Sequence, residues 1–410
     1  METLFKNYIN TFKGLSNEVW WLALITLINR AGTMVIPFLA LYLKEDLGFT
    51  VSHVAWIMSA FGLGSVAGSW LGGKLTDTLG YYKVMVRSLI STGILFIVLQ
   101  FLNTFISICF GVFIVMLVAD TFRPAMFVAL SAYSKPENQI RSLTLIRLAI
   151  NLGFSAGPAL GGVIITGLGY SGLFWVDGMT CIIATFVMIK VLHPKKVKVL
   201  DNIKNDNPIS AHKDKQFLIF LFAMMLFGIV FLQYFSTITI YYKDVHFLSE
   251  LEIGIILGLN GFLIFIFEMP LIKWLENTKY TKLGLVFFGA VLTGLSLFVL
   301  NLTSWPGILI VGMLLMTFGE MVAFPFSNAF AVERAKKGNS GEYMALYSIS
   351  FSIAHIFGHN AGLQMTAYLG YEDTWYIITA IAALCALILF GLNEKLKHKS
   401  STTNMNYEQD

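Results

Sequence analysis

Twelve stretches of about 20 largely apolar residues follow one another along this chain of 410 residues. A helix needs about 20 such residues to cross the hydrocarbon core of a bilayer. Charged side chains make up only 13% of the sequence, against about 25% in soluble proteins, and cannot cover a water-facing surface of this size. We therefore predict an all-α polytopic membrane protein. The predicted spans, numbered 1 to 12 in chain order, are 19–43, 51–73, 84–102, 106–131, 142–166, 172–192, 217–241, 251–273, 283–301, 306–331, 343–367 and 372–393.

The lysines and arginines between the spans predict how the chain is oriented. Nearly all of them fall in alternate connections, including the Lys-rich segment 193–216, whereas the opposite connections contain only Lys44 and Lys243. Positive charge collects on the cytoplasmic side of membrane proteins, so we expect both termini in the cytoplasm and the chain in the cell (inner) membrane. The lysines and arginines therefore indicate the orientation of the chain in the membrane and not a nucleic-acid site. The expected partners are the lipid bilayer and a small-molecule substrate.

The motifs of other function classes are absent from the sequence. Cys109, Cys181 and Cys385 lie in separate apolar stretches without CxxC spacing, which indicates small buried side chains and no disulfide framework or metal site. HExxH, GxSxG and P-loop patterns do not occur either. We expect no enzyme activity, no cofactor and no metal. A membrane-embedded enzyme and a channel are the disfavoured alternatives.

The two parts of the chain echo each other. An offset of 201 residues places Pro124 on Pro325 and the segment 157–161 on 358–362, while an offset of 199 places Gly62 on Gly261 and Asp77 on Glu276. These matches fall at equivalent spans and predict a duplicated six-helix unit. The predicted organisation is an N-terminal half 1–192, a cytoplasmic linker 193–216 and a C-terminal half 217–410 with a cytoplasmic tail.

The connection after span 2 carries the first of three patterns that resemble a known family. Residues 73–83 read GKLTDTLGYYK. They are similar to the loop motif GxLaDrxGrk of the major facilitator superfamily, with Gly73, Asp77 and Gly80 in matching positions. Two basic positions of that motif are not basic here, so the match is partial.

Spans 5 and 10 carry the other two patterns. Residues 153–162, GFSAGPALGG, match the GxxxGPxxGG pattern that is typical of antiporters in this family. Gly319-Glu320 and Pro325, followed by residues 341–344, GEYM, resemble span 10 and its loop in the proton-coupled drug exporters. The exporters' RxxxG pattern in span 4, expected near Val112, is absent. The chain thus resembles the twelve-helix proton-coupled drug antiporter branch, with one departure.

This resemblance implies a fold, a function and roles for the motif residues. It implies two six-helix halves that rock around a central site and export small organic, amphipathic compounds in exchange for protons. Asp77 would lie near the start of span 11, where the positive end of that helix attracts its carboxylate, and so lock one conformation. The alternative is a solvated loop aspartate beside a turn glycine. Span 5 would be a gasket and hinge; the alternative is ordinary packing of small residues. The span 5 residues concerned are Gly153, Gly157, Pro158, Gly161 and Gly162.

Four charged residues lie near the middle of predicted spans, where charge is costly and usually marks function: Arg30, Asp120, Arg123 and Glu320. Burial disfavours a charged carboxylate, so Glu320 is the best candidate for a proton carrier. Asp120 and Arg123 have i,i+3 spacing and are expected to pair, which suits Asp120 to a structural or substrate-orienting role and makes it the second proton-coupling candidate.

Arg30 leaves three interpretations open. It forms a salt bridge with Glu320 across the halves, it gates the cavity, or its guanidinium holds a carboxylate or phosphate of the substrate. The last interpretation leads to the alternative function, proton-coupled uptake of a small anionic solute such as a peptide or an organic acid.

Histidines and aromatic residues supply the remaining candidates. His355 and His359 are one turn apart on span 11, and packed, hydrogen-bonded histidines are favoured over a metal site or a proton relay. Aromatic residues of span 7, among them Tyr234, are candidates for a site that binds apolar or planar compounds. Asp177 and Glu268 are expected to reach water near the membrane faces. The tryptophans Trp20, Trp21 and Trp375 are expected to lie at the membrane interface.

Overall fold

The computed structural model describes residues 14–135, 138–195, 209–335, 337–338 and 340–407. Ten helical segments within these ranges are long and apolar enough to cross a membrane. In chain order they are Asn17–Asp46, Val51–Leu79, Tyr81–Leu99, Phe105–Tyr133, Arg141–Val191, Lys215–Asp244, Glu250–Glu276, Lys282–Asn301, Gly307–Ala335 and Glu342–Lys397. Residues 196–208 of the predicted linker lie outside the described residues. The predicted fold class, an all-α polytopic membrane protein, is confirmed.

Two of these segments each contain two spans. Arg141–Val191 has 51 residues and Glu342–Lys397 has 56, whereas the hydrocarbon core takes only about 20 residues of helix. Gly169 (φ 70°) divides the first into spans 5 and 6, and Gly370 (φ 82°) divides the second into spans 11 and 12. Glycine enters this left-handed backbone region without the steric cost that a side chain brings. The ten segments therefore provide the twelve predicted spans.

Four predicted spans consist of more than one helical piece. Pro37 and Pro124 explain two of the breaks, because each is the third residue of its second helix and cannot donate to the carbonyl four residues earlier. The pieces are Asn17–Ala31, Val35–Leu41 and Tyr42–Asp46 in span 1; Phe105–Ala119 and Phe122–Tyr133 in span 4; Lys215–Phe231, Leu232–Phe235 and Thr237–Asp244 in span 7; and Lys282–Phe298 and Val299–Asn301 in span 9.

Repeat-related positions share backbone geometry. The two dividing glycines, Gly169 and Gly370, stand 201 residues apart. Gly48 and Phe247, both at positive φ, stand 199 residues apart in the connections that follow spans 1 and 7. The next residue in each connection donates its N–H to the preceding helix, with N···O distances of 3.0 and 3.1 Å. These agreements support the internal duplication that the sequence suggests.

The described residues form two compact units. The first lies within Met1–Asn202 and Thr239–Phe265, so it contains the ends of spans 7 and 8 that face their connection. The second lies within Ile203–Ile238 and Ile266–Asp410. Each unit has its own apolar core of interlocking helices. Members of the first core are Val19, Leu22, Phe122, Met126, Ile146 and Met188. Members of the second are Phe217, Phe220, Met224, Ala323, Ala331 and Leu389.

Span 7 begins in the second unit at a buried ionic cluster. The Asp214 carboxylate accepts a hydrogen bond from the N–H of Phe217, which caps the helix. Arg334, near the end of span 10, donates to both carboxylate oxygens at 2.6 and 2.7 Å, and the Tyr343 hydroxyl donates at 3.2 Å. Burial raises the pKa of Asp214, but hydrogen bonding to Arg334 and its charge outweigh this and hold the pKa below its ordinary value.

Candidate functional site

Arg30 lies in the last turn of the first helix of span 1, immediately before the break. Its guanidinium carbon is 5.5 Å from the centre of the Phe154 ring on span 5, a cation–π distance. The Arg30 charge also interacts with those of Arg123 and Asp120. Gly153 approaches so closely that an added Cβ would overlap the Cβ of Arg30. Three of the four predicted membrane charges are thereby within electrostatic reach of one another in the first unit.

Asp120 and Arg123 flank the break in span 4. The buried Asp120 carboxylate accepts a hydrogen bond from Ser65 of span 2, and one of its oxygens lies 3.9 Å from Nη2 of Arg123. The predicted i,i+3 pair is confirmed, although the helix is broken between its members. The Arg123 side chain is 54% exposed, so the protein does not enclose this guanidinium.

The predicted glycines of span 5 allow close packing against two neighbouring helices. On one face, Gly153, Gly157 and Gly161 pack against span 1. A Cβ on Gly157 would lie 3.4 Å from the carbonyl oxygens of Arg30, Ala31 and Thr33, and a Cβ on Gly161 would lie 2.9 Å from a ring carbon of Phe38. These glycines let span 5 approach the broken turn of span 1 at backbone distance.

The other face of span 5 packs against the part of span 8 that belongs to the first unit. A Cβ on Gly254 would overlap the carbonyl oxygen of Pro158, and a Cβ on Gly162 would lie 2.7 Å from a main-chain oxygen of span 8. The Ser155 hydroxyl donates to the carbonyl of Gly258 at 2.8 Å. Close packing of small residues is therefore present on both faces, and the hinge role of span 5 stays a prediction.

Asp77 is exposed in the last turn of the helix Val51–Leu79. Gly80, at φ 83°, ends this helix and begins the next, which is the turn expected of the loop motif. Gly73 has open space where its Cβ would be. The role of Asp77 as a conformational lock stays a prediction.

Both lysines assigned to the less basic side form ion pairs in the first unit. Lys44, at the end of span 1, pairs with Asp244 at the end of span 7. Lys243 pairs with Glu250 at 2.8 Å, and the Tyr170 hydroxyl donates to the same carboxylate at 3.1 Å. These pairs join the ends of spans 1, 7 and 8 to the connection between spans 5 and 6.

The second unit presents an aromatic surface beside Glu320. Four half-buried rings, Phe231 and Phe235 of span 7, Phe324 of span 10 and Phe351 of span 11, form what we call the aromatic patch. Neighbouring ring centres are 5.0 to 5.4 Å apart. Glu320 is half-buried and precedes Phe324 by one helical turn, so the two share a helix face. The arrangement offers stacking surface and one carboxyl group to a planar molecule.

The histidines and Tyr234 occupy different surroundings. His359 is buried, with Nδ1 3.0 Å from the Ser236 hydroxyl, and its ring centre is 5.7 Å from that of His355. The interpretation as packed, hydrogen-bonded histidine is confirmed for His359. Tyr234 is buried and its hydroxyl donates to the Gly312 carbonyl at 3.3 Å. It therefore lies outside the aromatic patch, which uses the neighbouring Phe231 and Phe235.

Three expectations about exposure are wrong. Trp375 is fully buried and cannot anchor the chain at a membrane interface, unlike the exposed Trp20 and Trp21. Glu268 and Asp177 are buried and do not reach water. Both carboxylate oxygens of Asp177 accept hydrogen bonds from main-chain N–H groups of span 1, which gives them partners inside the protein. Pro37 is the sequence signal for this arrangement, because a proline in a span predicts main-chain groups that need other partners.

Comparisons with known proteins identify a family of membrane transporters. The family model described as Major Facilitator Superfamily matches residues 22–359 and 283–406. The Na(+), Li(+), K(+)/H(+) antiporter of Planococcus maritimus is 24% identical over 404 residues, covering 90% of this chain and 94% of the relative. The quinolone resistance protein NorA of Staphylococcus aureus (strain Mu50) is 30% identical over 168 residues, covering 40% of this chain and 42% of NorA.

Solved structures share the fold at low sequence identity. A POT family transporter crystallised with 5-aminolevulinic acid has a TM-score of 0.79 and 14% identity, covering 94% of this chain and 97% of its own. The nucleoside transporter NupG (D323A mutant) has a TM-score of 0.73 and 13% identity, covering 92% of this chain and 100% of its own. These similarities support the architecture and say nothing about the substrate.

Proposed function

This chain belongs to the major facilitator superfamily, and we propose that it is a proton-coupled antiporter that exports small organic, amphipathic compounds. The family and the relatives are transporters, so the chain is a multi-pass membrane transporter and not an enzyme. The names of the two relatives, a cation/proton antiporter and a quinolone resistance protein, support antiport and efflux respectively. The proposal places the protein in the cell (inner) membrane with both termini in the cytoplasm.

The aromatic patch is the observation that carries the substrate class. Aromatic faces bind planar apolar groups and attract cations through the ring quadrupole. Glu320 stands one turn from Phe324 on the same face, so a positively charged amphipathic compound would meet stacking rings and a carboxylate together. Binding of the cation to the carboxylate and binding of a proton to it are then mutually exclusive. That competition is the simplest basis for exchange of a compound against protons.

The residues of the first unit have supporting roles in this proposal. Asp120, held by Ser65 and near Arg123, orients the charges of the cavity. The halves 1–192 and 217–410 rock around the central site and are joined by the linker 193–216. Span 5 moves on small residues, and Asp77 locks one conformation. The ion pairs of Lys44 and Lys243 hold the ends of spans 1, 7 and 8 together within the first unit, on the side that the charge distribution assigns to the outside.

A second candidate function rests on the charge balance around Arg30. The charges of one guanidinium group, Arg123, and one carboxylate, Asp120, act on Arg30, so positive charge is in excess among these three residues. That excess favours an anionic solute, taken up together with protons. The name of the Planococcus maritimus relative adds a third cargo to test, a monovalent metal cation exchanged for protons.

Transport in proteoliposomes with an imposed pH gradient tests the proposal. Ethidium, a planar organic cation, serves as the probe and is expected to move against the proton flux. An anionic dipeptide that moves with the protons would favour uptake, and Na⁺ flux against protons without ethidium flux would favour cation antiport. Ethidium movement that ignores the gradient would contradict coupling and indicate a channel.

The variant Glu320→Gln tests whether Glu320 is the proton carrier. It is expected to abolish ethidium flux driven by the pH gradient but to retain ethidium exchange between the two sides of the membrane. Glu333→Gln, on the same span but exposed and paired with Lys282, is the matched control and should behave like wild type. Gradient-driven flux that survives Glu320→Gln would remove Glu320 as the carrier.

A further inference from the structure

The break in span 1 leaves main-chain donors without partners in their own helix. Pro37 has no N–H for the Thr33 carbonyl, and its ring would collide with that carbonyl in a continuous helix. The second piece, Val35–Leu41, is preceded by Met34 as its N-cap residue, and the Met34 side chain makes no capping hydrogen bond. Inside a membrane protein, such N–H groups must find acceptors within the protein.

Asp177 of span 6 supplies the acceptors. Its Oδ1 and Oδ2 lie 2.9 and 3.0 Å from the N of Met34, and Oδ2 lies 2.9 Å from the N of Val35. The side chain has no exposed surface. Thr180, one turn later, packs so closely on Gly32 that an added Cβ there would overlap its hydroxyl. Span 6 therefore packs closely against the break in span 1, and Asp177 is the ionisable residue that binds it.

The turn that Asp177 holds also carries Arg30. On the side opposite span 6, this turn packs against Gly157 of span 5. A Cβ added to Gly157 would lie 3.4 Å from the main-chain oxygens of Arg30, Ala31 and Thr33. Arg30 thus lies two residues before Gly32 in the break, which span 5 contacts on one side and span 6 on the other. Any change in the Asp177 hydrogen bonds alters the support of the turn that presents the guanidinium.

The repeat-related break in the second unit is held by an amide side chain. The Gln233 amide of span 7 donates to the carbonyls of Ile229 and Gly358 at 2.8 Å and accepts from Thr237. An offset of 201 places Ile378 at the position of Asp177. Helix breaking alone therefore does not require an acid, and the first unit uses one where an amide suffices in the second.

We propose that Asp177 is a positioning residue that couples its own protonation to the placement of Arg30. The carboxylate offers two charged oxygens as acceptors. Protonation of Oδ1 removes its hydrogen bond to Met34 and the negative charge, so both N–H groups are left with Oδ2 as one shared, neutral and weaker acceptor. Protonation therefore loosens Val35–Leu41 from span 6 and lets Arg30 move. The use of this movement in transport rests on the proposed function, but the movement itself does not.

The ionisable groups near Asp177 are few. Its own span contributes Cys181, one turn later, which interacts with both Asp177 and Arg30. Span 1 contributes Arg30 itself and Tyr42, whose ring lies against the preceding turn of span 6. Residues 89–97 of span 3, which pack beside span 6, contain no ionisable side chain. Asp177 has no salt bridge in the part of the chain that the structure describes.

Amide hydrogen exchange of the full chain in lipid nanodiscs tests the proposal directly. After correction for the intrinsic pH dependence of exchange, the protection of the Met34 and Val35 amides is expected to fall by roughly tenfold from mildly alkaline to acidic pH, because a hydrogen bond to a charged acceptor is about twice as strong as one to a neutral acceptor. Asp177→Asn should show low protection at every pH. Thr185→Val, which removes a buried hydroxyl from the same span without touching the break, should keep the wild-type profile.

Two results would overturn the proposal. One is a wild-type protection that does not change with pH, and the other is an Asp177→Asn protein with the wild-type pH dependence. Should Asp177→Asn fail to fold, the wild-type profile still decides, together with Asp177→Glu, which keeps a carboxylate and should keep the pH dependence. Normal gradient-driven ethidium transport with pH-independent protection would reject only this inference. Protection that depends on pH, together with an absence of gradient-driven ethidium transport, would reject only the proposed function.

Discussion

Span 1 in the first unit and span 7 in the second begin and break at related places but are held by different chemistry. Ser16 caps span 1 with a hydroxyl, whereas Asp214 caps span 7 with a carboxylate that binds Arg334. At the breaks the order is reversed, since span 1 is held by the carboxylate of Asp177 and span 7 by the amide of Gln233. At both breaks a side chain satisfies main-chain groups, but Asp177 accepts from N–H groups in the first unit whereas the Gln233 amide donates to carbonyls in the second.

This difference separates two kinds of site. The first unit keeps ionisable groups beside its breaks, with Arg30 and Asp177 at the break in span 1 and Asp120 and Arg123 at the break in span 4. In the second unit the buried ion pair of Asp214 and Arg334 lies at the start of span 7. Two rings of the aromatic patch, Phe231 and Phe235, lie at the break, and Glu320 is one helical turn from a third, Phe324. We therefore expect the first unit to respond to charge and the second to bind apolar surface.

The largest expected effect comes from removing the ionic cap of the second unit. Arg334→Met leaves the buried Asp214 carboxylate without its cation, which typically costs about 3–5 kcal/mol. Ser16→Ala, at the related position of the first unit, removes a neutral cap worth about 1 kcal/mol. Thermal unfolding in detergent should therefore show a much larger loss of stability for Arg334→Met than for Ser16→Ala.

An exposed ion pair provides the control for this comparison. Lys282 and Glu333 are paired at the surface of the same unit, and Lys282→Met should cost no more than about 1 kcal/mol. Equal losses for Arg334→Met and Lys282→Met would contradict the view that burial makes the Asp214 pair important.

The next largest effect concerns the residue that packs beside the break. Gly153 touches Arg30 in the first unit, whereas the repeat-related residue Ala354 already carries a Cβ, which fits against Gly228. Gly153→Ala is expected to force Arg30 aside at a cost of roughly 1–3 kcal/mol and to impair transport. Ala354→Gly should cost about 1 kcal/mol through helix propensity and leave transport intact. Wild-type transport by Gly153→Ala would show that Arg30 does not need its present position.

Much of the fold could be predicted from the sequence because it depends on local composition. Apolar length alone predicts twelve spans, and Gly169 and Gly370 divide the two longest helices as the predicted connections require. The breaks were harder to predict. Pro37 and Pro124 signal two of them, but span 7 breaks without a proline, at a position held by the Gln233 side chain. That break depends on tertiary contacts, which periodicity does not encode.

The candidate site could be predicted only in part, for a similar reason. A charge inside an apolar stretch is visible in the sequence, so Arg30, Asp120 and Arg123 are found together in the structure. Asp177 was expected near water because its depth was inferred from its place in the span. Its burial depends on which neighbour presents free N–H groups to it, and that neighbour, span 1, is 142 to 143 residues away in the chain.

Acid should weaken the cap of span 7 and leave the cap of span 1 unchanged. A carboxyl whose pKa is lower in the folded state contributes stability above its unfolded pKa and loses it as the pH falls through the folded pKa. The pKa of Asp214 is depressed in this way by Arg334. The stability difference between wild type and Asp214→Asn should therefore be constant near neutrality and shrink below about pH 4. Ser16→Ala should show no such change, and a pH-independent difference for Asp214→Asn would argue against an ionised Asp214.

The smallest effects are expected where the ends of spans 1 and 7 meet their ion-pair partners in the first unit. Lys44 and Lys243 are related by the offset of 199, and both pairs are partly exposed, so each should be worth about 0.2–1 kcal/mol. Lys44→Met and Lys243→Met should change transport rates by less than about fivefold, and high salt should reduce the difference from wild type, because salt screens exposed pairs. The exchanged pair Lys44→Asp with Asp244→Lys should restore the wild-type rate if attraction between these ends matters. A rate that stays at the level of Lys44→Asp alone would mean that Lys44 acts through its position in span 1 and not through its partner on span 7.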